Sequence, residues 1–174
     1  MDWTKFNNHG ESNNHAFEVM CNLIFESWCR ETYQDKLEQF AFVNGNGGDG
    51  GVEAYGILSN GNIVGVQSKW FPNKLEDVQI RQIENSFKMA LKVRPNISRY
   101  IVCIPRDLNS KRIVKKGKKA KNTESDKWEE MVRKFKSFYP NVEIILWDES
   151  TIQEKITRPT SQGCLLYTSP SPRD

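Results

Sequence analysis

The feature that most restricts the fold of this chain is a pair of β-type runs separated by a short polar turn. The runs cover residues 52–58 and 63–70, and the turn between them contains Asn60 and Gly61. An Asn-Gly pair in such a place is a strong hairpin signal, because these residues adopt the positive φ that tight hairpin turns require. The sequence therefore predicts two neighbouring antiparallel strands, and the other elements must join that sheet or cover it.

The apolar spacing around this hairpin predicts helices that alternate with further strands. Apolar side chains recur at helical spacing in 14–34, 78–92 and 125–139, and Asp77 is placed to cap the second of these helices. Short runs complete the pattern: strands at 40–43, 100–104 and 142–147, and a helix at 150–157. This order predicts an α/β fold in which helices flank a mixed β-sheet, with a parallel crossover around the second helix.

The composition fits a single globular domain without a membrane anchor. The chain has 174 residues, and no apolar run approaches the roughly 20 residues of a membrane-spanning helix. Its first residues do not read as a secretory signal, so we expect a cytoplasmic protein with reduced thiols. The cysteines contain no Cys-x-x-Cys pair, which argues against a zinc or redox site, and Cys21 and Cys103 are expected to be buried as small apolar side chains.

Polar side chains suited to a metal site lie around the hairpin. Alternate residues of a strand share a face, so Gln67 and Lys69 are predicted to point the same way. An amide and an ammonium on such a strand need partners, because burying them alone is costly. Asp49 and Glu53 have the same parity, and they share a face if strand geometry extends back to Asp49. Two carboxylates, an amide oxygen and an ammonium can then converge, which suits Mg²⁺ binding and phosphodiester hydrolysis.

This pattern resembles the Mrr-like branch of the PD-(D/E)xK, or restriction-endonuclease-like, nuclease superfamily. The resemblance rests on the glycine-rich segment 47–53 and on 67–69, where Gln-Ser-Lys gives a Gln-x-Lys in place of the commoner Glu-x-Lys. It covers about residues 12–158 and implies a restriction-endonuclease-like mixed sheet flanked by helices. Mrr-like sequences often carry Asp where Glu53 stands, so the principal metal ligand is either Asp49 or Glu53.

The resemblance also implies a role for each matching residue. Asp49 and Glu53 would bind Mg²⁺ or Mn²⁺ together with the amide oxygen of Gln67, and Lys69 would act on the water or on the phosphate. Glu18, on the first predicted helix, resembles an acidic residue that often faces the metal in this family. Because Gln67 is neutral, we hypothesise that both acids are needed to balance the charge of the metal.

The implied activity is that of a metal-dependent endonuclease acting on DNA. Mrr-like domains often stand at the N-terminus of bacterial anti-phage defence proteins, ahead of an NTPase sensor module, so we expect such a module and a homo-oligomer by analogy. The alternatives are an RNA nuclease, a non-catalytic nucleic-acid-binding domain and a protein-interaction module. The joint presence of Lys69 and both acids favours an active nuclease over the last two.

A second candidate contact with nucleic acid lies in the long polar loop expected at 107–124. Residues 111–121 contain seven cations and no acid. Such a run gives salt-sensitive, sequence-independent attraction to a phosphate backbone, although a solvated surface loop can have the same composition. The residues predicted to contact nucleic acid are Lys111, Arg112, Lys115, Lys116, Lys118 and Lys119.

The C-terminal stretch differs in character from the rest of the chain. One choice of codons for residues 164–174 resembles a transposase adapter used in preparing sequencing libraries, so we expect this stretch to be translated adapter. Its prolines and serines predict disorder over 159–174. The predicted nuclease domain then spans residues 1–158 and forms the N-terminal part of a longer protein.

Overall fold

The computed structural model describes residues 3, 6, 8–43, 50–110 and 122–157, and these contain a five-stranded sheet and four α-helices. The strands are β1 (Leu37–Phe42), β2 (Ala54–Leu58), β3 (Ile63–Ser68), β4 (Ile97–Cys103) and β5 (Glu143–Trp147). The helices are α1 (Asn13–Tyr33), α2 (Asp77–Val93), α3 (Glu124–Phe138) and α4 (Glu149–Ile156). A short 3-10 turn, Gln34–Lys36, links α1 to β1.

The strands lie side by side in the order in which they follow one another along the chain. β1, β2 and β3 are antiparallel neighbours, whereas β3, β4 and β5 are parallel. The predicted hairpin is confirmed as β2 and β3, and the predicted parallel crossover as β3, α2 and β4. The mixed sheet flanked by helices confirms the predicted α/β class and is compatible with a restriction-endonuclease-like fold.

The helices form two layers, one on each face of the sheet. α1 and α4 pack on one face, where Phe17 of α1 and Val66 of β3 belong to the same core cluster. α2 and α3 pack on the other face around Phe87, Tyr100 and Phe135. Because β3 and β4 are covered on both faces, most of their side chains are buried. A polar side chain at the end of β3 therefore lies in dry surroundings and needs a partner.

The buried cysteines behave as the sequence predicts. Cys21, Cys29 and Cys103 are buried free thiols, which confirms the prediction for Cys21 and Cys103. Burial raises the pKa of the Cys21 thiol well above its usual range. This thiol therefore stays protonated and packs as a small apolar group.

Several predicted boundaries are wrong, and tertiary contacts explain the larger errors. β2 begins at Ala54, two residues later than predicted, because Gly50 and Gly51 have positive φ and turn the chain. β1 and β4 each begin three residues earlier than predicted, at Leu37 and Ile97, because pairing with the neighbouring strand continues over positions without a β pattern. The other strand and helix ends differ from the prediction by at most two residues.

The start of α2 also differs from the prediction. The N-cap is Glu76 rather than Asp77, and the Glu76 N–H donates to Oε1 of Gln79 at 3.1 Å. Asp77 is the first helical residue, and its carboxylate lies 2.7 Å from the ammonium of Lys127 on α3. Asp77 thus joins α2 to α3 at the surface instead of capping the helix.

Three predicted features lie outside the described residues. They are Asp49 within 44–49, the cations of 111–121, and the tail 159–174. What the sequence predicts for them therefore stays a prediction. Among the helices of the described ranges, none combines the length and the apolar character that a membrane span requires.

Candidate active site

The end of β3 extends past the beginning of its partner β2. Ala54, the first residue of β2, is opposite Val66, and the Glu53 N–H donates to the Val66 carbonyl at 2.8 Å. Ser68 lies two residues further along β3, so no β2 residue is opposite its N–H. The Glu53 carboxylate takes that place, since its Oε2 accepts the Ser68 N–H at 2.8 Å. A carboxylate thus accepts the last N–H of β3, at the edge of the sheet where the parallel strands end. Ligands of α/β folds usually bind at this edge.

Gln67 holds the second oxygen of the same carboxylate. Its Nε2 donates to Oε1 of Glu53 at 2.6 Å and to the Ser68 carbonyl at 3.3 Å. The Gln67 side chain is 1% exposed, and its Oε1 is buried without a hydrogen-bond partner among the described residues. A buried acceptor in this state costs roughly 1–3 kcal/mol unless a donor or a cation meets it. The amide oxygen of Gln67 is therefore an atom that needs a partner.

Burial changes the protonation of Glu53. The residue is 6% exposed, and burial raises the pKa of its carboxyl from the ordinary value of 4.5 to about 8. The negative charge of Glu18 raises this pKa further, while Ser68, which donates its N–H to the carboxylate, and the positive charge of Lys69 act in the opposite direction. Because both hydrogen-bond donors to the carboxylate are neutral, an added cation would strongly favour its charged form.

Lys69 and Glu18 act on this carboxyl from different elements. Lys69 directly follows β3, and its N–H donates to the Cys103 carbonyl of β4 at 2.9 Å, which fixes its backbone to the sheet. Glu18 lies on α1, and both side chains are half-buried. The structure thus brings together four of the predicted site residues, Glu18, Glu53, Gln67 and Lys69.

The fifth predicted residue, Asp49, lies outside the described residues, but the chain directly after it is described. A common face for Asp49 and Glu53 requires an extended strand between them. Gly50 and Gly51 have φ of +57° and +79°, so the chain turns between the two acids. Strand geometry therefore does not extend back to Asp49, and the parity argument does not apply to it.

The Gly50–Gly51 corner packs directly against the backbone of α2. A Cβ on Gly51 would lie 2.1 Å from the carbonyl oxygen of Ser86 and 2.5 Å from the backbone nitrogen of Ala90, distances that real Cβ atoms do not adopt. Only glycine fits at this position, because the φ is positive and α2 occupies the space of a side chain.

Two further side chains hold the same corner. The Tyr100 hydroxyl donates to the Gly51 carbonyl at 2.8 Å. Arg94 donates from Nη1 to the Gly50 carbonyl at 3.4 Å, and its guanidinium lies 4.6 Å from the centre of the Tyr55 ring. The sequence pattern does not single out Tyr100 or Arg94 as residues of the site. The one sequence signal for Tyr100 is its hydroxyl in a strand end that is otherwise apolar.

Aromatic rings fix the end of β3 against α1. Trp70 packs edge-on against Trp3 and Phe17, with ring centroids 5.6 and 5.4 Å apart. Lys69 directly precedes Trp70, and Glu18 directly follows Phe17. The aromatic contacts therefore set the position of the lysine relative to the acid on α1.

The donors at the end of β3 fit a hard divalent cation. Glu53 and Glu18 have carboxylate oxygens and Gln67 has a buried amide oxygen, which are the ligand types that Mg²⁺ and Mn²⁺ prefer. As placed, Gln67 turns its nitrogen toward Glu53, so a ligand role requires rotation of the amide by about 180°. The described ranges contain no group of three or more His, Cys, Asp and Glu side chains that could hold a metal ion. A full set of ligands would therefore include Gln67, backbone carbonyl, water or Asp49 oxygens.

A second buried carboxylate, Glu124, lies at the same edge of the sheet. Its Oε1 accepts the Leu75 N–H at 2.5 Å and lies 2.9 Å from Nη1 of Arg106. Its Oε2 accepts Nη2 of Arg106 and the Asn109 N–H, both at 3.1 Å. Glu124 thus joins the segments that follow β3 and β4 to the start of α3.

The chain matches no protein-family model, and a search of curated proteins finds no match. Because one fold can carry many unrelated activities, the function has to follow from the geometry and chemistry of the site residues.

Proposed function

We propose that the domain is a metal-dependent nuclease that hydrolyses phosphodiester bonds in DNA, with its active site at the end of β3. The observation that carries this proposal is the Glu53–Gln67 pair, a buried carboxyl with a raised pKa beside a buried amide oxygen that lacks a partner among the described residues. A divalent cation would neutralise the charge of the Glu53 carboxylate. After rotation of the Gln67 amide, the same cation would bind the amide oxygen. The resemblance to the Mrr-like branch supports the same activity.

Each residue of the site has a task that follows from its position. Glu53 is already held by two donors, so its carboxylate needs little reorganisation to act as a ligand. Glu18 adds a second negative charge from α1, and Asp49 is proposed as a further ligand. A bound Mg²⁺ or Mn²⁺ would lower the pKa of a water molecule and stabilise charge on the phosphate. Lys69 would orient that water or neutralise a phosphate oxygen, at the same strand end as Gln67.

DNA is proposed as the substrate on two grounds. The first is the Mrr-like resemblance. The second is the cationic sequence 111–121. The described residues on either side of it, after β4 and at the start of α3, lie at the edge of the sheet where β3 also ends. A role as the cutting domain of a bacterial defence protein, with an NTPase sensor module and as a homo-oligomer, is proposed by analogy alone.

A plasmid-cleavage assay tests the proposal. The chain should cut plasmid DNA with Mg²⁺ or Mn²⁺ and should not cut when a chelator is present. Lys69→Ala should abolish cleavage, whereas Lys74→Ala should not, because the Lys74 side chain is 65% exposed and pairs with Glu76 at 3.5 Å on the surface. Absence of metal-dependent cleavage, or full activity of Lys69→Ala, would contradict the proposal. Cleavage of RNA alone would contradict its substrate.

A further inference from the structure

We propose that Tyr100 is a positioning residue of this site, whose hydroxyl fixes the Gly50–Gly51 corner and, through it, the Glu53 carboxylate. This inference rests on the proposed function, and it adds a residue that touches neither the substrate nor a metal. It also explains why a polar group is kept deep in an apolar layer of the core.

The ring and the hydroxyl of Tyr100 make separate contributions. The residue is 0% exposed, and its ring packs edge-on against Phe87 with centroids 5.1 Å apart. A phenylalanine could make the same ring contact. The hydroxyl adds the 2.8 Å hydrogen bond to the Gly51 carbonyl, which satisfies both buried groups. The hydroxyl therefore holds the Gly50–Gly51 corner in place, while the ring packs in the apolar core.

The corner determines how the chain enters Glu53. Only Val52 separates Gly51 from Glu53, and Val52 is itself confined, since a Cβ on Gly65 would lie 2.8 Å from its Cγ1. Backbone hydrogen bonds join Glu53 to Val66 and to Val43, the residue after β1. The direction from which the chain reaches Glu53 is set by the corner. A shift of the corner would be passed to a carboxylate that must stay 2.6 and 2.8 Å from its two donors.

Arg94 supports the same corner more weakly. Its bond to the Gly50 carbonyl is 3.4 Å long and only partly buried, whereas the Tyr100 bond is 2.8 Å long and buried. Shorter hydrogen bonds in dry surroundings are stronger. Loss of the Tyr100 hydrogen bond should therefore displace Glu53 more than loss of the Arg94 hydrogen bond.

The test compares Tyr100→Phe with Tyr33→Phe in the full chain. Each substitution removes a hydroxyl that takes part in a 2.8 Å hydrogen bond: the Tyr100 hydroxyl donates to the Gly51 carbonyl, and the Tyr33 hydroxyl accepts Nη1 of Arg99. Tyr33 lies at the end of α1 and packs with the core cluster of that helix, whereas Tyr100 belongs to the cluster on the α2 face of the sheet. The two variants therefore lose the same chemical group, while the two hydroxyls differ in place, in burial and in hydrogen-bond role.

Three measurements separate positioning from plain stability. Mn²⁺ affinity, followed by the electron paramagnetic resonance signal of the free ion, should weaken about tenfold in Tyr100→Phe and by less than about twofold in Tyr33→Phe. Amide hydrogen exchange at 51–53 should quicken in Tyr100→Phe only. The kcat for plasmid cleavage should fall in Tyr100→Phe while the KM for DNA stays unchanged.

The outcomes separate this inference from the proposed function. A purely structural role would lower the Tm of both variants and leave the affinity for Mn²⁺ unchanged. Equal Mn²⁺ affinity in the parent and in Tyr100→Phe therefore overturns the role of Tyr100, while the proposed function stands. If the parent neither binds Mn²⁺ nor cuts DNA, the proposed function fails and this inference fails with it.

Discussion

Two glutamates are buried at the same edge of the sheet, and their partners differ in charge. Glu53 is 6% exposed and Glu124 is 2% exposed. Glu124 accepts two backbone N–H groups and forms an ion pair with the guanidinium of Arg106 at 2.9 Å. Glu53 accepts one backbone N–H and one amide N–H, and both donors are neutral.

This difference separates a carboxylate that holds the fold from one that is available for chemistry. The charge of Glu124 is already matched by a cation of the chain, so its removal would leave an unmatched charge behind. The hydrogen bonds to Glu53 come from neutral donors only, and the nearby charge of Lys69 does not offset the effects of burial and of Glu18, so this carboxyl gains from a proton or from an added cation. Burial alone does not distinguish the two cases, whereas the charge of the partners does.

Replacing Glu53 with Gln should have the largest effect on activity with little effect on stability. We expect cleavage to fall by about a hundredfold or more, because a metal ligand is lost. Below about pH 4.5, where the Glu53 carboxyl is neutral in the folded parent, the free energy of unfolding should change by less than about 1 kcal/mol. The new amide can accept the Ser68 N–H on its oxygen and donate from its nitrogen to the Gln67 amide oxygen once that amide has rotated. Plasmid cleavage and urea unfolding measure the two effects. Near-parental activity of Glu53→Gln would contradict the proposal that Glu53 takes part in the chemistry.

Replacing Glu124 with Gln should give the reverse result. The guanidinium of Arg106 loses its counter-charge in a side chain that is only 24% exposed, so the free energy of unfolding should fall by about 3 kcal/mol. Cleavage per folded molecule should persist at a temperature where the variant is folded. Adding Arg106→Met should recover part of the loss, because it removes the unmatched charge. A stable Glu124→Gln would show that this pair does not hold the fold.

The pH dependence of stability should differ between the parent and Glu53→Gln. In the folded state the pKa of the Glu53 carboxyl is about 8, against an ordinary value of 4.5, so the folded state binds the proton more tightly. The resulting stabilisation is fully present below about pH 4.5 and is lost as the pH rises through about 8. Relative to Glu53→Gln, the parent should lose a few kcal/mol over this range. Parallel curves from urea unfolding at each pH would argue against the buried charge.

Divalent cations should stabilise the parent where Glu53 would otherwise carry an unmatched charge. At pH 8, Mg²⁺ or Mn²⁺ at ten times its Kd should add about 1.4 kcal/mol to the free energy of unfolding. A chelator should reverse the gain, and Glu53→Gln should lack most of it. Glu124→Gln should keep this gain in stability, because the Glu124 carboxylate of the parent pairs with Arg106 and not with the added cation. Equal stabilisation of both variants would place the cation elsewhere.

The part of the fold that the sequence predicts rests on local signals. Asn60-Gly61 marks the hairpin, helical spacing marks α1, α2 and α3, and the alternation of elements indicates the parallel crossover. The same local reasoning singles out Gln67 and Lys69 as candidates, because they stand two residues apart at the end of a predicted strand. These predictions need no knowledge of what packs against each element.

The features that the sequence does not predict depend on distant contacts. The corner at Gly51 is set by the backbone of α2, which is why the predicted strand extends too far toward Asp49. Glu124 lies at the end of a polar stretch expected to be a loop, and its partners Leu75 and Arg106 are 49 and 18 residues away in the chain. No local pattern distinguishes this glutamate from an exposed one.

The close approach of α2 to Gly51 also limits how sequences with this fold can vary. Even alanine there would displace either the helix backbone or the corner, so no neighbouring side chain can adjust to accept it. In a survey of all single substitutions scored by survival of function, Gly51 should be as intolerant as Lys69, although it contributes no reacting group. Divergence around this site would then be limited by the main chain as much as by the chemistry.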